Sequence, residues 1–189
     1  RRTAFLRGSS DYIIDKLPEN FLYLGIILKL LSKSKVIRIF RDPWDTAISL
    51  YKQRYVLNIP YSVSFFNIGV FMSNFEAINI FWNEHIDDKS NIMDIKYEDL
   101  VSDKNKNQEK MYKFLKISSK YDEEKRSQFF SPTASIRQIR QGIHKKSIDK
   151  KEFDHHKSEF LDALLMQRQY WASKNIIPKN DNFFGYELK

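Results

Sequence analysis

Within KVIRIFRDPWDTAISLY, residues 35–51, an arginine and a serine stand on either side of a turn that could seat a phosphate. An apolar run rich in β-branched residues (Val36, Ile37, Ile39, Phe40) ends at Arg41. Asp42-Pro43 follows, and a helical pattern then carries Ser49 two turns in. In a strand–turn–helix of this kind the arginine sits at the strand's C-terminal edge, where open α/β sheets bind ligands. A guanidinium brings charge and forked donors, and a hydroxyl adds one directed contact. Together they can grip one phosphate group, so the segment reads as nucleotide-binding.

Other residues could do chemistry only if the fold carries them to the same edge. Lys16 ends the first apolar run and precedes Leu17-Pro18. Read without its neighbours, Lys16 is a plain solvated cation. Tyr97 ends the apolar run IMDIKY, where an aromatic ring either packs or faces a ligand. Residues 131–151 hold Pro132, Gly142 and many cations (Arg137, Arg140, Lys145, Lys146, Lys150) with little periodicity, which suits a loop over an anionic ligand.

The elements that must position these residues alternate. Tyr12–Asp15 reads as a short buried strand. A proline-started helix FLYLGIILKLLSKS follows, with Pro18 in its first turn. Val36–Phe40 is a strand, and a helix from Trp44 to about Tyr55 is capped by Asp42, with Asp45 three residues on. Val63–His85 is a long apolar helix with Phe66, Val70, Phe71, Phe75, Ile78 and Trp82 on one stripe. Ile92–Tyr97 is a third strand. Helices are expected over Asn107–Leu115, Asp122–Phe130 and His155–Asn175, and a loose polar tail after Pro178. Strands alternating with helices indicate an α/β fold with a parallel sheet.

Composition sets the outer limits. The 189 residues are 42% hydrophobic, enough for one domain with a core. Lys+Arg 32 against Asp+Glu 24 gives +8, which suits phosphate-bearing ligands, although a bias toward Lys, Asn and Ile accounts for part of it. Nucleic acid is not the expected partner, because the aromatics follow core periodicity instead of interleaving with cations. No cysteine is present, and the four histidines show no metal-ligand spacing, so no metal is expected. Neither Phe21–Leu31 nor Tyr61–Trp82 reads as a membrane span. Residues 1–12 show no signal-peptide pattern. The compartment stays open, with cytoplasm the expectation for a bacterial chain, and the oligomeric state is not addressed.

Four segments in order, IIDKLPENFLYLG, VIRIFRDPWDTAISLY, IMDIKYEDLV and SPTASIRQIRQGIHKKS, resemble the sulfotransferases, particularly the bacterial and tyrosyl-protein type. The resemblance spans Tyr12 to about Lys151. It implies a three-layer α/β fold related to P-loop kinases, with residues 1–189 as one domain and 131–151 covering the nucleotide. It further implies transfer of a sulfuryl group from 3′-phosphoadenosine 5′-phosphosulfate (PAPS) to a hydroxyl or amine acceptor, leaving adenosine 3′,5′-bisphosphate. Arg41 and Ser49 would hold the 3′-phosphate, and Tyr97 would lie on the adenine side. Arg140 and Lys150 would close over the nucleotide, while Lys16 and Ser135 would face the transferred group. Two departures stand out: Lys151 occupies a usual tryptophan position, and Gly142 a usual proline. The family's first strand, phosphate loop and general base are expected upstream of Arg1, so the chain alone would be catalytically incomplete. The alternatives are an inactive sulfotransferase remnant or another P-loop-type nucleotide-binding protein, such as a small-molecule kinase, although no Walker-type GxxxxGK[ST] is evident.

Overall fold

Val36–Phe40 (β1) and Ile92–Lys96 (β2) pair in parallel, with Val36 opposite Ile92 and Phe40 opposite Lys96. This register makes the two strand ends level, so the residues that follow, Arg41 and Tyr97, leave the sheet at one edge. The computed structural model describes residues 13–53, 59–117, 150–180 and 182–188. Around the strands run helices Leu24–Leu30 (α1), Pro43–Gln53 (α2), Phe65–His85 (α3), Tyr97–Ser102 (α4), Lys104–Leu115 (α5) and Lys157–Ser173 (α6). Short 3₁₀ segments, Pro18–Tyr23, Pro60–Ser62 and Lys151–His156, precede α1, α3 and α6. The protein is mixed α/β, mostly helical, with a small parallel sheet.

Local chemistry explains the boundaries. Asp42 Oδ1 accepts the Asp45 N–H at 2.8 Å and starts α2, as its position before Pro43 anticipates. Ser64 Oγ does the same for α3, accepting from Asn67 N–H at 3.1 Å. Parallel strands need a crossover connection, and α2 with α3 supplies it. Arg38 then locks the sheet from within. Its guanidinium meets Asp94, directly opposite in register, with two contacts of 2.7 Å, and Nη1 reaches Asn79 of α3 at 3.3 Å.

The core lies between α2, α3 and α6. Trp44, Ala47, Ile48, Phe65, Ile68, Met72, Phe160 and Leu164 are buried there. The α3–α6 approach is close at Gly69, where a Cβ would come within 2.6 Å of the Phe160 carbonyl oxygen. The buried side of α3 differs from the expected stripe. Phe66 is 43% exposed, whereas Phe65, Ile68, Met72 and Ala77 are buried. Helix α3 is covered on two sides: α6 takes one, while Phe75 meets Phe40 and Phe21 on the other. A single stripe cannot describe a helix buried on both flanks.

Three further expectations change. Ile13–Asp15 is not a strand: it has no regular structure, and Ile14 is 92% exposed. Strand backbone needs a neighbouring ladder, and no described strand lies beside this segment. The sheet among the described residues is therefore two-stranded. Tyr97 begins helix α4 instead of closing β2. The tail after Pro178 is ordered, forming a hairpin of Asn182–Phe183 (β3) and Tyr186–Glu187 (β4), with Phe183 2% exposed. Tyr12, the helix expected over 122–130 and residues 131–149 of the expected loop fall outside the described residues.

Candidate functional site

Arg41 and Tyr97 meet at the level strand ends. The Arg41 guanidinium lies 4.9 Å from the centre of the Tyr97 ring, a cation–π distance. In the first turn of α2, Asp45 faces back at 3.6 Å from Arg41 Nη2. Arg41 is half-buried, and its Nε is buried with no hydrogen-bond partner among the described residues. Buried donors are nearly always paired, so an open one at a strand edge leaves bonding capacity for a ligand.

A second cation converges on the same carboxylate. Lys150 Nζ lies 2.5 Å from Asp45 Oδ1. The bond to Asp45 holds the Lys150 ammonium above its usual range, with burial and Arg41 opposing and Asp42 adding to it. Asp45 thus keeps two cations together that would otherwise repel. Ser49 lies one further turn along α2 from Asp45, on the same helix face, and is half-buried. The structure therefore brings together Arg41, Tyr97 and Lys150 from the expected set, with Ser49 one helical turn beyond Asp45.

Lys16 stands apart. It is exposed in the irregular segment before the first 3₁₀ turn, and among the described residues no hydrogen bond or ion pair joins it to Arg41, Ser49 or Tyr97. Ser135 and Arg140 lie outside the described residues.

Four residues of this edge were not among the expected site residues. Asp45 reads as helix capping, yet it is the shared counter-ion. Glu98, the residue after Tyr97, accepts the Asp42 N–H through Oε1 at 3.0 Å and the Tyr186 hydroxyl through Oε2. Tyr186 is held neutral: burial, then the Glu98 carboxylate, push its phenol far above the usual tyrosine range. Lys96 Nζ donates to the Gly185 carbonyl at 3.1 Å and lies over the Tyr186 ring. A cavity of about 390 Å³ beside β2 takes in Phe40, Lys96 and Phe184. Among the described residues no cluster of His, Asp and Glu could hold a metal ion, and no helix is long and apolar enough to cross a membrane.

The model of a sulfotransferase family matches residues 1–123, well over half of the chain, and contains Arg41, Ser49 and Tyr97. An uncharacterized protein of Aquifex aeolicus (strain VF5) is 29% identical over 157 residues, covering 79% of this chain and 20% of that protein. The chain thus spans about a fifth of that relative's length. No solved structure matches.

Proposed function

The chain belongs to the sulfotransferase family, and on that premise we propose that its strand-end site takes the donor nucleotide PAPS for sulfuryl transfer to a hydroxyl or amine acceptor. The supporting observation is the pairing of Arg41 with Tyr97 at one sheet edge, with Lys150 drawn alongside through Asp45. In this reading Arg41 and Ser49 grip the 3′-phosphate. Tyr97 flanks the adenine side, and Lys150 with Arg140 belongs to the segment 131–151 that covers the nucleotide. The phosphate competes with the Asp45 carboxylate for the two cations.

The chemistry is an in-line displacement. An acceptor oxygen attacks sulfur, the bond from sulfur to the bridging phosphate oxygen breaks, and adenosine 3′,5′-bisphosphate departs carrying that electron pair. The acceptor proton passes to a base that none of the assigned residues provides. Lys16 and Ser135 serve the leaving side, where a fixed ammonium and a hydroxyl meet growing negative charge. The scheme assigns the chain to a three-layer fold of the P-loop-kinase kind and requires no metal.

Calorimetry tests the reading in the full-length protein. Adenosine 3′,5′-bisphosphate should bind more tightly than adenosine 5′-monophosphate. Arg41→Ala should erase about 1.5–3 kcal/mol of that advantage, roughly ten- to a hundredfold, while leaving the monophosphate little changed. Equal affinity of the wild-type protein for the two nucleotides sinks the assignment.

A further inference from the structure

The C-terminal hairpin reaches the nucleotide edge from outside the residues that the family model covers. Its turn residues, Phe184 and Gly185, both take positive φ, 50° and 85°. For a bulky residue that conformation is costly, and here the Phe184 ring stacks on Phe40, the last residue of β1, at 4.3 Å. At Gly185 a side chain would be strained by the φ of 85°, and its Cβ would also push on the flexible end of Lys96, 2.8 Å away. The segment leading in is tied down by the buried Arg168, whose Nη2 donates to the carbonyls of Asn180 at 2.7 Å and Asn182 at 3.2 Å. The hairpin is thus fastened at both ends before Tyr186 is presented.

We propose that Tyr186, acting through Glu98, is a positioning residue for Arg41, an inference that rests on the nucleotide-site reading above. The Tyr186 hydroxyl has one proton to give. Both the Phe40 carbonyl at 3.4 Å and the Glu98 carboxylate stand within reach, and the charged acceptor takes it. With Oε2 so engaged, Glu98 presents Oε1 to the Asp42 N–H at 3.0 Å. Asp42 is the residue after Arg41 and also caps α2, so one carboxylate sets where the strand ends and the helix begins. That turn fixes the root of the Arg41 side chain, and with it the guanidinium over Tyr97. Loss of the phenol proton donor frees Glu98 to rotate, and the Arg41 turn loosens without any loss of core packing. Tyr186 touches no ligand in this arrangement; its effect passes through Glu98 and the Asp42 amide.

Tyr186→Phe tests this, because it removes only the hydroxyl, with Glu98→Gln as a second variant. Two quantities are read in the full-length protein: hydrogen exchange at the Asp42 amide without ligand, and the ratio of affinities for adenosine 3′,5′-bisphosphate and adenosine 5′-monophosphate. Each variant should speed Asp42 exchange and lower the affinity ratio by about three- to tenfold, the effect of one hydrogen bond. Amides in α3 and α6 should stay unchanged. Unchanged Asp42 exchange overturns the latch. Faster exchange with an undiminished ratio overturns the positioning role and leaves a structural contact. A wild-type protein with no preference between the nucleotides overturns the site reading itself, and the positioning role with it.

Discussion

Arg168 and Arg41 are the same side chain in opposite states of completion. Arg168, on α6, is 4% exposed, and its guanidinium pairs with Glu76 while reaching the Asn180 and Asn182 carbonyls. Burial raises the Glu76 carboxyl above its usual range and Arg168 pulls it back, so the pair exists only because each neutralises the other. Arg41 is 25% exposed, meets a carboxylate at 3.6 Å and keeps its Nε unpaired. A saturated arginine fastens α3, α6 and the tail together. An unsaturated one at a strand end is what a ligand would complete. The contrast sets a charge whose partners are complete against one whose partners are not.

Stability offers the largest test of that contrast. Arg168→Ala strands the Glu76 carboxylate in the core and should cost about 3–5 kcal/mol. Arg41→Ala, at a half-open edge, should stay within about 0.5 kcal/mol. Urea denaturation measures both, and comparable losses would erase the distinction. Activity should run the other way. In a turnover assay of the full-length protein with PAPS and an accepted acceptor, Lys16→Ala should lower kcat by about 10²-fold or more, with the melting curve almost unmoved. Lys16→Arg should rescue poorly, since the broader fork cannot place one donor at the same point. A normal kcat would return Lys16 to the solvated surface where the structure has it. Next in size comes Gly69→Ala, which presses a methyl against the Phe160 carbonyl and should cost about 1–3 kcal/mol on denaturation.

Two smaller effects sharpen the site half of the comparison. Tyr186 has a raised phenol pKa in the folded protein, so above the unfolded value of 10.0 the unfolded chain releases a proton that the folded one keeps. Stability contributed by Tyr186 is therefore complete below pH 10 and declines as pH rises further. Wild type compared with Tyr186→Phe across an alkaline denaturation series should show a shallower decline in the variant. Smallest of all, the Asp45–Lys150 pair is partly exposed and screened. A double-mutant cycle at physiological salt should return less than about 1 kcal/mol of coupling. A larger value would make the pair structural, like Arg168–Glu76.

Much of the site half was legible because its chemistry is local. Asp42-Pro43 after a β-branched run foretells strand, cap and helix within a few residues, and the Asp42–Asp45 bond forms as that spacing requires. The hairpin was not legible. Phe184-Gly185 is a poor turn sequence on its own, since Phe resists positive φ; only the Phe40 ring, distant in sequence, makes that turn worthwhile. Arg168 likewise reads as one more polar residue on a helix until α3 and the tail close over it. The segment 13–15 misled in the other direction, since apolar β-formers are a strand only where a neighbour completes their backbone hydrogen bonds.

By itself, then, the sequence determined the strand–turn–helix, two of the three expected strands and the edge that Arg41 and Tyr97 share. Each of these follows from backbone periodicity and side chains a few positions apart. Tertiary structure alone decided that Asp45 gathers Lys150 beside Arg41, that Glu98 joins the Asp42 amide to Tyr186, and that Arg168 is a fastener. Those are pairings between groups far apart in the chain, whose energies depend on burial and mutual distance, and neither quantity exists until the chain has folded.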